Sequence, residues 1–217
     1  MYILTQSKPF ENSKSTTFVF EPTSVALEYP AEEYQRRSRH YKLICGHKDY
    51  NIECPEYINI KNAKETTVLI PEFLIPGRPY PLYIYLYAID LYSSNPEMGQ
   101  REAAEKTRKR FGLTTFSHTT LGRALKRFIK VIDEDKLTEE ATTDLTASVS
   151  ETDIREFDSG SSSLQRSFPT VEKTGSMRTK AASVLKGIII QDNFEGAKQF
   201  CFELARERFK ENGRFLL

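Results

Sequence analysis

An α+β fold, in which a small N-terminal β module precedes a helical domain and a helical tail, is predicted by three features of this 217-residue chain. The first 75 residues are dense in β-branched and aromatic side chains, interrupted by Pro and Asn. Residues 100–132 carry two apolar stripes at helical spacing. A stretch rich in Thr, Ser, Glu and Asp follows, and two short helical patterns close the chain.

The runs TTFVF, SVALEY, HYKLI, YINI and TTVLI read as short strands of a β module over residues 1–75. Pro22, Pro30, Pro55, Pro71 and Pro76 punctuate them, since each removes a ladder donor and holds the preceding residue extended. Residues 82–92 (LYIYLYAIDLY) alternate as a strand would, yet Leu82, Leu86 and Ile89 also share a helical face. Their length, Pro81 before them and Ser94-Asn95-Pro96 after them favour a helix. The segment QREAAEKTRKRF at 100–111 is built from strong helix formers, with an apolar stripe at Ala103, Ala104, Thr107 and Phe111. Gly112 then stands where a left-handed residue ends a helix.

Ser117 is placed as the N-cap of a helix over 119–132, whose Leu121, Leu125, Phe128 and Ile132 define a buried face. Residues 76–132 are therefore expected to form the second unit. Residues 133–180, with SGSSS at 159–163, cannot offset their ordering entropy by burial and read as a disordered acidic linker. Residues 181–217 hold two short helices, at 181–190 and 194–210. The second opens with the capping-box spacing of Asp192 and Glu195, and Phe194, Ala197, Cys201, Leu204 and either Phe200 or Arg208 lie along one face.

The formal net charge is only +1, but it is unevenly placed. Residues 101–130 hold nine Lys/Arg against two Glu, a local +7, and residues 133–158 hold ten Asp/Glu against two Lys/Arg, a local −8. Three cysteines without repeated spacing, no basic-then-apolar start and no apolar run near the ~20 residues of a membrane span predict a cytoplasmic protein that does not engage a membrane. Neither a glycine-rich phosphate loop nor a dinucleotide fingerprint is present, so no cofactor is expected. His40, Cys45, His47 and Cys54 fall close together but lack knuckle spacing, and no metal site is expected from them.

Two helices joined by a Gly-containing connector, the second with a cationic outer face, outline a helix-turn-helix. The first helix braces the second through Ala103, Phe111, Leu121 and Leu125, leaving the second free to enter a major groove. Ser117, His118, Thr119, Thr120 and Arg123 are the base-facing candidates, and Lys109, Arg110, Lys126, Arg127 and Lys130 would neutralise phosphates. Gly122 would permit close approach to DNA. The expected partner is duplex DNA, with a partner protein or a second copy as a further candidate through the C-terminal helices. A rival reading is a protein-interaction module docking through Leu86, Tyr87, Phe111, Phe116 and Phe209/Phe215, and a third is a decayed gene product without activity.

LIPEFLIPGRPY (69–80), SNPEMGQREAAEKTRKRFGLTTFSHTTLGRALKRF (94–128) and NGRFLL (212–217) resemble a family of transposase-related bacterial proteins found with insertion elements, a domain of unknown function. The resemblance covers roughly residues 35–132 and the C-terminus. It implies a zinc-ribbon-like N-terminal module ahead of the helix-turn-helix. The positions matching the family's zinc ligands are Ile60, Ala63 and Thr67, so the resemblance implies a degenerate, metal-free ribbon here. Strand transfer needs carboxylates on a rigid scaffold holding two metals. Asp133, Asp135, Asp144, Asp153 and Asp158 fall in the expected linker, so no catalysis is expected.

Overall fold

A computed structural model of the chain describes residues 2–5, 16–21, 29–144, 171–191, 194–213 and 215–217. It is an α+β arrangement of a five-stranded sheet followed by helices. The strands are β1 (Tyr2–Thr5), β2 (Thr17–Val19), β3 (Tyr34–Cys45), β4 (Lys48–Asn59) and β5 (Thr66–Pro71). β3 and β4 pair antiparallel from Tyr34↔Asn59 to Cys45↔Lys48 around the two-residue turn Gly46-His47. Gly46 has φ +64°, the left-handed first position of a hairpin turn whose twist matches that of its strands.

The other edge of β4 is shared. β2 runs parallel to it along residues 51–53 and β5 antiparallel along residues 56–58, with Pro55 where the partner changes. β1 lies parallel to β5. Phe20, Leu43, Ile52, Cys54, Leu69 and Ile70 form the buried centre of this sheet.

The helices are α1 (Leu82–Ser94), α2 (Gln100–Phe111), α3 (His118–Asp144), α4 (Val171–Leu185), α5 (Ile188–Gln191) and α6 (Phe194–Asn212). α1 is apolar around almost its whole circumference and is correspondingly buried on every side. It touches each of the other five helices. The ambiguous segment 82–92 is thus a helix, and a central one. Leu4, Cys45, Phe202 and Phe215 pack against both the sheet cluster and the helical cluster. Cys45 Sγ lies 3.2 Å from Tyr83 Oη across that boundary.

Several expectations need correction. The short strands HYKLI and YINI are parts of two twelve-residue strands, and β1 was not expected at all. Residues 22–28, most of the SVALEY strand, lie outside the described residues. The helix expected to end at Ile132 continues to Asp144, since 134–144 supply helix formers and Asp133 is tied to Lys180 Nζ at 2.8 and 2.9 Å. At the far end of the expected linker, α4 already begins at Val171, and residues 145–170 lie outside the described residues, as does Asp192 of the capping box. On the C-terminal helices Ala181, Leu185, Ile189, Ala197, Cys201 and Ala205 pack within the chain, buried in the cluster around α1. Leu86 and Phe116 of the interaction reading are buried there too, and Phe209 and Phe215 pack against each other with ring centroids 5.1 Å apart.

Asp90, from the middle of α1, is fully buried and satisfied. Its carboxylate accepts hydrogen bonds from the N–H groups of Gly187 (3.0 Å), Ile189 (2.9 Å) and Ile190 (3.3 Å) at the start of α5, and from Ser94 Oγ (3.1 Å). At the C-terminal end of the same helix Arg178 of α4 bonds the carbonyl of Tyr92 and, just beyond the helix, those of Asn95, Pro96 and Met98. The tail is therefore anchored to α1 by two polar clamps as well as by apolar packing.

Glu72, after β5, is buried and poorly compensated. Arg206 Nε of α6 lies 3.5 Å from its Oε2, yet that oxygen finds no hydrogen-bond donor among the described residues. Burial raises its carboxyl above 4.5, Arg206 opposes the rise and Glu203 adds to it. The folded protein consequently holds this proton to higher pH than the unfolded chain does, so stability falls as pH climbs from about 4.5 through the folded value. Glu72→Gln should remove that part of the decline and melt no lower than wild type at neutral pH, within about 1 kcal/mol. Thermal melts from pH 4 to 8 check this, and a variant profile parallel to that of wild type would contradict it.

Candidate nucleic-acid interface

The predicted helix pair forms from local signals. α2 ends at Gly112 (φ +61°, ψ +34°), whose N–H bonds Arg108 O. A side chain here would also meet His47, because a Cβ would stand 3.0 Å from the imidazole Nε2 at the β3–β4 turn. α3 starts at Ser117, whose Oγ accepts the N–H of Thr120 at 3.1 Å and lies within 2.7 Å of Thr119 Oγ1 and 3.0 Å of Thr120 Oγ1. The connector between them exceeds the usual turn of ~3–4 residues for a packing reason. Leu113 and Phe116 are buried against α1, and the Phe116 ring sits 5.3 Å from Tyr80 and 6.0 Å from Tyr85.

α3 is two-faced over its first four turns. Leu121, Ala124, Leu125, Phe128, Ile129 and Ile132 are buried, and Thr119, Arg123, Lys126, Arg127 and Lys130 are exposed along the opposite side. Ser117 and His118 are exposed at the helix start and Thr120 is half-buried. These residues share one surface. Lys109 and Arg110 are exposed on the last turn of α2, where the helix dipole favours cations, and Lys109 is paired to Glu105 at 2.8 Å. Gly122 does not belong to the open face. A Cβ there would lie 3.1 Å from Gln100 Oε1 at the start of α2, so its small size serves the approach of the two helices.

Sequence reasoning missed Arg78. It follows Pro76 and Gly77 in a turn closed by Arg78 N–H to Ile75 O at 3.0 Å, with Gly77 at φ +74° as a type II turn requires. Tyr80 fastens this loop to the connector, its hydroxyl donating to Thr115 O and lying 2.9 Å from Thr115 Oγ1. The loop thus stands beside the start of α3. Burial, then the charges of Arg127 and Arg123, push the Arg78 guanidinium below its ordinary range, with the nearby Tyr85 opposing. The only hint in the sequence was the Pro-Gly turn before an Arg.

The implied zinc-ligand positions are spread over a turn and a strand. Ile60 and Ala63 are exposed between β4 and β5, and Thr67 is buried within β5. Cys54 is buried in the sheet, its thiol pushed up to about 12 by burial, and His40 faces outward beside Asn51. Among the described residues no three His, Cys, Asp or Glu side chains gather as a metal site, and no helix is long and apolar enough to cross a membrane.

The chain matches no protein-family model, no curated protein and no solved structure. Function is accordingly argued from the site.

Proposed function

We propose that this chain is a non-catalytic DNA-binding protein, an accessory or remnant related to transposases, that lays α3 in the major groove of duplex DNA. One observation carries the reading: the first four turns of α3 present Arg123, Lys126, Arg127 and Lys130 along a continuous exposed face opposite their buried one. Lys126, Arg127 and Lys130 neutralise backbone phosphates. His118, Thr119, Thr120 and Arg123 lie nearer the base edges, and Ser117 sets where the helix begins. The Phe116 anchor and the Gly112 cap fix the entry angle of α3, so that groove contacts need no further ordering.

Fluorescence anisotropy of the full chain on random-sequence duplex DNA tests this across ~50–200 mM salt. Binding that weakens by orders of magnitude over that range is expected, and no binding even at low salt would overturn the reading. Arg127→Gln should weaken binding to all sequences and lower the salt slope by about 0.9. A relaxed preference at one base pair instead would reassign Arg127 to base readout.

A further inference from the structure

We propose that Arg78, held beside α3 by the Pro76-Gly77 turn, completes with Arg123 and Arg127 a site for a phosphate group. The inference rests on the DNA reading for its source, a backbone phosphodiester of the bound duplex. Three observations converge on it. Arg78 does not lie on a free tail: the type II turn and the Tyr80 bonds to Thr115 fix its backbone against the connector that starts α3. Its Nη2 is buried and finds no acceptor among the described residues, whereas buried donors are almost always paired. The charges that act on it include two further guanidinium groups, Arg123 and Arg127, spaced one helical turn apart on the exposed face of α3.

An unpaired, half-buried guanidinium among like charges is unfavourable by itself. A phosphodiester reverses that, because it accepts the orphaned N–H and sets a negative charge among the three cations. Guanidinium suits the role better than ammonium, since its planar fork can give two parallel bonds to one phosphate. Arg78 comes from the β5–α1 loop, outside the helix pair, so it would grip the strand from a direction α3 cannot reach. Arg123 is then shared between the phosphate and the base edge, and Arg127 faces the backbone.

The test uses the full chain and Arg78→Gln, with Arg78→Lys as a second variant. Because Nη2 has no partner to lose, Arg78→Gln should melt no lower than wild type. In anisotropy titrations on random duplex it should bind several-fold more weakly and show a salt slope lower by about 0.9, and Arg78→Lys should keep most of the slope. In a parallel arm, inorganic phosphate added at constant ionic strength should raise the melting temperature of wild type more than that of Arg78→Gln. If wild type binds duplex but Arg78→Gln keeps the full slope and phosphate stabilises both proteins equally, the site is refuted while the DNA reading stands. If wild type binds no duplex yet phosphate still stabilises it selectively over Arg78→Gln, the DNA reading fails and the site stands with free phosphate as its source. Absence of both effects refutes both.

Discussion

Asp90→Ala is expected to lower the unfolding free energy by about 3–5 kcal/mol, the largest loss predicted for any single side chain here. The carboxylate is fully buried within α1 and receives three backbone N–H groups and one hydroxyl. Alanine leaves those donors inside the core with nothing to accept them, and each unsatisfied donor costs about 1–3 kcal/mol. The damage extends beyond the count of bonds, because α5 is a four-residue helix that cannot stand alone. Just before it, Lys186 and Gly187 both adopt left-handed φ, at +52° and +71°. Lys186 is strained there, and the three N–H bonds to Asp90 help hold the turn in that shape.

Urea titration gives the magnitude, with an unchanged m-value as the sign of an intact two-state transition. In a chain of this size the loss corresponds to a melting temperature lower by about 6–20 °C. Asp90→Asn separates charge from hydrogen bonding. Its single amide oxygen can satisfy either the Gly187 and Ser94 donors or the Ile189 and Ile190 pair, so it should recover only part of the loss. Hydrogen exchange at Gly187, Ile189 and Ile190 should accelerate in both variants ahead of the rest of the helical cluster. A variant within about 0.5 kcal/mol of wild type would show that Asp90 is not the pin of α5.

Asp90 also shows what a sequence conceals. In the chain it is one acid interrupting an apolar run, and its partners lie 97 to 100 residues further on. α3 was legible because its signals are local: Ser117 caps it, Gly112 ends the helix before it, and its apolar residues recur at helical spacing. The long hairpin was not. From Gln35 to His40 every residue of β3 is exposed, so no alternation marks the strand, and only its ladder with β4 makes it one. The candidate DNA face divides the same way. Its members on α3 follow from one periodicity, but Arg78 joins them through a turn and a tyrosine bond that no spacing encodes. Gly122 was assigned to the wrong neighbour for a related reason, since a bare Cα on a helix fits either a ligand or another helix until Gln100 is seen against it.

The second large effect is expected from Arg178→Ala, a loss of about 2–4 kcal/mol. Arg178 belongs to a stretch whose composition suggested a linker, yet its guanidinium closes the end of the central helix. Nε and Nη2 bond Tyr92 O at 2.9 and 2.8 Å, Nη2 also reaches Asn95 O and Met98 O at 2.6 Å, and Nη1 reaches Pro96 O at 2.8 Å. The same group lies 4.1 Å above the Tyr92 ring. The carbonyls at a helix C-terminus carry the negative end of its dipole, and Asn95, extended in its backbone, covers Leu91 O with its side-chain amide at 2.7 Å and leaves Tyr92 O to Arg178. A planar fork can serve several carbonyls at once. Arg178→Lys keeps the charge but has three donors on one nitrogen, so it should restore less than half of the stability. Equal recovery by Lys would mean that charge on the dipole matters and the fork does not. This clamp holds the end of α1 and the connector that follows it as far as Met98, and it bonds nothing on the exposed face of α3. At a temperature where Arg178→Ala remains folded its duplex affinity should therefore match wild type, and weaker binding by the folded variant would show that the tail also positions α3.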